Sequence, residues 1–168
     1  VVPVIAVLFV FAAGGGLATV SAAMATGAPA TAGRMIDVGG HRLYIECSGS
    51  GSPTVVLQAG LGAASASWAQ IAPSLGATTT VCAYDRPNTR PDGVDQSTPV
   101  AQPHTVQQDV DDLVKLMAAA NLQGPFVVVA HSYGGLVADL LARKHPELVS
   151  GLVMVDPDRN AIVDRLCI

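Results

Sequence analysis

Apolar and polar positions fall in short blocks along this chain, and the blocks predict alternating strands and helices. Met35 to Val38 and His41 to Cys47 read as two short strands around Gly39-Gly40, a pair suited to a hairpin turn. Ser48 to Pro53 is a loop of small residues. Thr54 to Gln58 reads as a buried strand, with the glycine-rich turn Ala59-Gly60-Leu61-Gly62 behind it. Trp68, Ile71, Ala72 and Leu75 share one face of a short helix. Thr79 to Tyr84 is the next strand, and the polar, Pro-rich stretch from Asp85 to Pro103 reads as an exposed loop. The period then changes. From Val106 to about Ala120 the residues Val110, Leu113, Val114 and Met117 form a helical stripe. Thr105 and Gln108 have the spacing of a capping box, and Asp109, Asp111 and Asp112 lie where carboxylates suit the helix dipole. Gly124-Pro125 stops that helix, and an apolar β-branched run from Phe126 reads as a buried strand. A second helix follows Ser132 and turns Leu136, Val137, Leu140 and Leu141 inward. It ends on Arg143, Lys144 and His145, with Pro146 beyond. Gly151 to Val155 is the last strand, closed by Asp156-Pro157-Asp158.

Strand, helix, strand, helix, strand at these spacings implies an α/β fold. The expected architecture is a mostly parallel sheet with helices on both faces and an N-terminal antiparallel hairpin. Ligands of such sheets gather at the carboxyl ends of the strands. Ala59-Gly60-Leu61, Asp85-Arg86, Ser132 and Asp156 all stand at those ends.

Composition changes the picture at the N-terminus. Apolar residues make up 50% of the 168 and charged residues only 13%, and no charge precedes Arg34. Residues 1–32 therefore read as a signal peptide or a membrane anchor. Val1 to Ala23 is about long enough to span a bilayer, and small-residue cleavage candidates follow. Residues 33–168 form the second region. Either reading of the first places the catalytic part outside the cytoplasm and offers a route to membrane association. The net charge of −4 without a basic cluster, together with few aromatic residues, argues against nucleic acid as a partner. No metal-ligand spacing occurs, and no cofactor is implied. Cys47 and Cys82 both fall in predicted strands, as buried thiols or, in an exported protein, as a disulfide.

The candidate chemistry centres on Ala130-His131-Ser132-Tyr133-Gly134-Gly135. A strand that turns sharply into a helix around one serine lifts that hydroxyl clear of the sheet. It also brings the next backbone N–H to where an oxyanion would sit. A helix N-cap serine is the plainer alternative. A serine nucleophile needs a base, a group to orient that base, and N–H donors. His131 adjoins Ser132, but neighbours at a sharp bend point apart, so it reads as supporting the site. His41, His104 and His145 read as surface or capping residues.

Four segments together resemble the α/β-hydrolase superfamily of esterases, lipases and related enzymes: the elbow at 130–134, the turn Gln58 to Gly62, the strand end Cys82-Ala83-Tyr84-Asp85-Arg86, and Leu152 to Pro157. The resemblance covers roughly Arg34 to Pro157. Ala130 stands where that family usually has glycine, and Asn88 stands where relatives often carry glycine. The resemblance implies that Ser132 is the nucleophile, that the Leu61 and Tyr133 N–H groups form the oxyanion hole, and that a small acyl compound is the substrate. The family's strand order sets the Cys47 strand beside the Cys82 strand, which makes a cross-strand disulfide one of two outcomes, free thiols being the other. Asp156 fits the position of the acid in a minority of relatives; a strand-end turn residue before proline is the plainer reading and the preferred one.

The family's catalytic histidine follows its eighth strand, whereas this sequence is expected to stop after the sixth. The reading is therefore a serine hydrolase on an ester or similar acyl substrate, incomplete as given, with a truncated gene model, a frameshift near Asn160 or a fragment as explanations. A non-catalytic remnant or binding protein that keeps part of the fold is the alternative, and a transferase or perhydrolase would use the same scaffold. An exposed apolar edge at the last strand predicts poor solubility.

Overall fold

The computed structural model describes residues 33–89 and 96–158. The signal or anchor expectation for residues 1–32, and the frameshift expectation near Asn160, lie outside the described residues. Among the described residues, no helix is long and apolar enough to cross a membrane.

Six strands form one mixed sheet. They are β1 (Arg34–Asp37), β2 (Arg42–Ser48), β3 (Val55–Gln58), β4 (Val81–Tyr84), β5 (Phe126–Ser132) and β6 (Val149–Pro157). Their spatial order is β1-β2-β4-β3-β5-β6. β2 runs antiparallel to β1 and β4, while β3, β4, β5 and β6 run parallel. The hairpin turn is made by Gly39 and Gly40, at φ +91° and +107°, a region that glycine enters without steric cost.

Side-chain alternation divides the core in two. Val56, Cys82, Val128 and Ala130 face the helices α2 (Val106–Ala119) and α3 (Gly134–Lys144). Val55, Leu57, Val81 and Ala83 face the other way, onto Trp68 of a 3₁₀ turn (Ser65–Trp68) and onto Ala72 and Leu75 of α1 (Ala72–Gly76). Helices thus cover both faces, as the α/β reading expects.

The elements depart from the sequence reading in particulars. The single short helix expected around Trp68 is split into a 3₁₀ turn and α1, and Ile71 between them is 49% exposed rather than packed. Proline at 73 suits a helix first turn, and it restarts the chain there. α2 buries Leu116 in its stripe, with Val114 only half-buried. The stretch after β4 is not simply an exposed loop. Asp85, Arg86, Thr89 and Ser97 are buried in it. The Asp85 carboxylate accepts the N–H groups of Ser65 (2.7 Å) and Gln96 (3.0 Å), and Ser97 Oγ donates to the Asp85 carbonyl (2.6 Å). Those bonds satisfy polar groups that would otherwise be stranded below the surface. β6 is longer than expected and reaches Pro157.

Cys47 and Cys82 face each other across β2 and β4, with Cα atoms 4.1 Å apart, and are joined by a disulfide.

Candidate active site

Ser132 ends β5 at φ +50°, a left-handed conformation that a side chain rarely adopts. Tyr133 returns to helical angles and holds the N-cap position of α3, so Ser132 is not the capping residue that its plainer reading made it. The glycine behind the bend is a packing requirement. A Cβ at Gly134 would lie 2.6 Å from the Gln58 carbonyl oxygen and 2.7 Å from that of Ala59. α3 can start against the end of β3 only without that carbon. A Cβ at Gly135 would meet the Pro157 side chain at 2.8 Å, so the end of β6 presses on the same turn. The Ser132 carbonyl accepts the Asp158 N–H at 3.2 Å.

The turn after β3 packs on the other side of the serine. A Cβ at Gly60 would lie 2.9 Å from His131 Nδ1 and 3.3 Å from Ser132 Cβ. Gly62 supplies a positive φ of +67°, and the Leu61 side chain stands out into solvent. Gly60 and Leu61 are thereby brought beside the bend. Ser132 itself is half-buried and His131 is exposed. Asp156 lies near the end of β6 at φ +42° with its side chain exposed, one strand over from Ser132.

Beneath these residues runs a buried polar network that sequence reasoning missed. Arg86, 5% exposed, donates from Nη1 to the Ala59 carbonyl and from Nη2 to the Gly60 carbonyl, each at 2.6 Å. Its guanidinium lies 5.1 Å from the centre of the Tyr133 ring. The Tyr133 hydroxyl donates to Asp109 Oδ2 at 2.7 Å. His104 Nε2 sits 3.5 Å from both Asp109 Oδ1 and Asp112 Oδ2, and His41 Nε2 is 2.8 Å from Asp112 Oδ2. His41 and His104 are therefore engaged by buried carboxylates, not free at the surface. Burial pushes the Asp109 carboxyl above its ordinary range, against the opposing pull of the Tyr133 hydrogen bond and the Arg86 and His104 charges. Burial, and then the Asp109 carboxylate, push the Tyr133 phenol up as well. At the end of β3, the buried Gln58 accepts a hydrogen bond from the Tyr84 hydroxyl.

One signal for this network was available in the sequence. Asp109 and Asp112 fall three apart and in phase with Leu116, so they belong to the stripe that α2 buries. Dipole stabilisation accounts for carboxylates on a helix's first turn but not for carboxylates on its inner face.

Residues 53–165 match the family model described as the alpha/beta hydrolase fold. The chain belongs to this family. Among curated relatives it is 31% identical over 109 residues to the uncharacterized protein YqjL of Bacillus subtilis, covering 65% of this chain and 41% of that one. It is 38% identical over 117 residues to a Caulobacter protein named "Putative carbamate hydrolase RutD", covering 68% and 42%. It is 44% identical over 59 residues to lipase LipV of Mycobacterium tuberculosis, covering 35% and 22%. Among solved structures it resembles a bacterial membrane phospholipase A, with a TM-score of 0.68, 26% identity, and coverage of 79% and 41%. The chain spans about two fifths of the length of YqjL, RutD and that phospholipase. Three of the proteins it resembles are thus named for hydrolytic activity: a carbamate hydrolase, a lipase and a phospholipase A.

Proposed function

We propose that this α/β-hydrolase chain carries the nucleophile and oxyanion half of a serine hydrolase acting on an ester or similar acyl substrate. The observation that carries the reading is the left-handed Ser132 with Gly60 packed against its Cβ. In this reading Ser132 Oγ passes its proton to a general base, which the resemblance assigns to the part of the fold after the eighth strand, and attacks the acyl carbon; the carbonyl oxygen takes up the displaced electron pair as the tetrahedral adduct forms. The N–H groups of Leu61 and Tyr133 receive that charge, and Tyr133 opens α3, whose positive end favours an anion. Asp156 is the weaker candidate, as the acid that would orient a base. The similarity to a lipase and to a phospholipase supports an acyl ester as the substrate class.

A fluorophosphonate probe tests this directly. Labelling of the folded chain should vanish in Ser132→Ala. A folded wild-type chain that takes no label would contradict it. The second reading, a binding protein that keeps the fold without turnover, draws on the histidines: His41, His104 and His145 each pair with a carboxylate, at Asp112, at Asp109 and Asp112, and at Glu147.

We also propose that the protein works outside the cytoplasm, on the N-terminal segment as signal or anchor. The apolar run of residues 1–23 and the Cys47–Cys82 disulfide support this. An alkaline phosphatase fusion after residue 33 should be active in a bacterial host, and an inactive fusion would count against export.

A further inference from the structure

We propose that Arg86 is a positioning residue that orients both oxyanion donors at once, an inference that rests on the reading of Ser132 and its two N–H groups given above. The Gly60 carbonyl and the Leu61 N–H belong to one planar trans peptide and so point in opposite directions. A donor that grips the Gly60 oxygen therefore aims the Leu61 N–H. Arg86 Nη2 is such a donor at 2.6 Å, and Nη1 holds the preceding Ala59 carbonyl at the same distance. Two bonds from one rigid fork stop this peptide from rotating, which a single point donor would not do. The Ala63 N–H also reaches the Gly60 oxygen, at 3.3 Å, but it lies in the same turn and does not tie that turn to the rest of the molecule.

The same guanidinium faces the Tyr133 ring at 5.1 Å, and the Tyr133 hydroxyl is tied to Asp109. Tyr133 is the second donor residue. One buried cation thus touches the peptide of the first donor and the side chain of the second, and the Tyr133 hydroxyl ties that side chain to Asp109 at its other end. Gly134 completes the arrangement. It lets α3 rest on the Gln58 and Ala59 carbonyls, so that the two donors share one backbone platform.

The test compares Arg86→Met and Arg86→Lys with wild type in the ¹⁵N-labelled full chain. In Arg86→Met the order parameter of the Leu61 amide should drop from about 0.85 to below about 0.6. The Tyr133 amide should shift, while the amides of Val56 and Val128 in the sheet should hold. Lysine cannot span both carbonyls and should restore neither signal. Tyr133→Phe keeps the ring over Arg86 and should leave Leu61 rigid. Phosphonylation of Ser132 should slow by about 10²-fold in Arg86→Met, the scale of losing one oxyanion donor. A rigid Leu61 amide and an unmoved Tyr133 amide in folded Arg86→Met would overturn the proposal. Should neither variant fold, the wild-type chain decides: separate, slowly exchanging Nη signals for Arg86 support it, and one averaged signal overturns it. Loss of Leu61 rigidity in Arg86→Met, with no label on wild-type Ser132, supports the positioning by Arg86 and counts against the nucleophile alone.

Discussion

At the scale of single residues, the bend at Ser132 is a set of size constraints. Gly60 and Gly134 hold no side chain because backbone and imidazole already occupy the space a Cβ would need. Gly134→Ala must push α3 off two backbone carbonyls, and overpacking of this kind costs about 1–3 kcal/mol. Denaturant titration should show that loss with an unchanged slope, and an unchanged midpoint would mean that α3 does not rest on β3 as described. The bend at Ser132 was legible from the sequence because a β-branched run, one hydroxyl and two glycines follow in order. Arg86 was not. Nothing in its neighbours marks a buried cation, since its partners are the carbonyls of Ala59 and Gly60, more than twenty residues earlier. Main-chain acceptors leave no trace in a sequence.

At the scale of elements, α2 joins a legible N-terminus to an illegible face. Thr105 Oγ1 accepts the Gln108 N–H at 3.3 Å, and the Gln108 side chain accepts the Thr105 N–H at 2.9 Å, which is the box read from their spacing. Thr105→Ala should therefore lower stability by about 1 kcal/mol in chemical unfolding. The inner face carries Asp109 and Asp112 as well as its apolar stripe. Because burial raises the Asp109 pKa, the folded chain holds this proton at pH values where the unfolded chain has released it. Its contribution to stability is accordingly greatest below the ordinary carboxylate value and declines as pH rises through the raised one. Unfolding of wild type and Asp109→Asn, followed from pH 4 to 7, should show the asparagine variant gaining on wild type as pH rises. The reverse trend would contradict the burial of a strained carboxylate at this position. The loop after β4 was misread for a related reason: its polarity suggested solvent, yet its Asp and Ser side chains bond inward to backbone groups.

At the scale of the whole molecule, the side-chain alternation along the apolar strands β3, β4 and β5 decides which core each residue joins, and the order of apolar strand and helix blocks is why the layered α/β class was readable. Register was not. The facing of Cys47 and Cys82 depends on how β2 slides along β4, which no local pattern sets. The disulfide closes a loop between residues 35 apart in sequence, and a link of this span adds about 2–4 kcal/mol. Unfolding with and without reductant should differ by that amount, and equal midpoints would mean that the link constrains nothing. At the opposite edge, Leu152, Val153 and Val155 of β6 are 38%, 48% and 43% exposed. The expectation of poor solubility belongs to that edge, and light scattering of the 168-residue chain checks it: a monodisperse monomer at high concentration would oppose it. The sheet, both helical layers and the β3 turn converge on one place, the carboxyl rim at Ser132. A crystal structure of the chain after reaction with a fluorophosphonate examines that place most directly. The phosphoryl oxygen should lie about 2.7–3.1 Å from the main-chain nitrogens of both Leu61 and Tyr133, with phosphorus bonded to Ser132 Oγ. Phosphorus bonded to another side chain, or an adduct on Ser132 with its oxygen turned away from both nitrogens, would contradict the account.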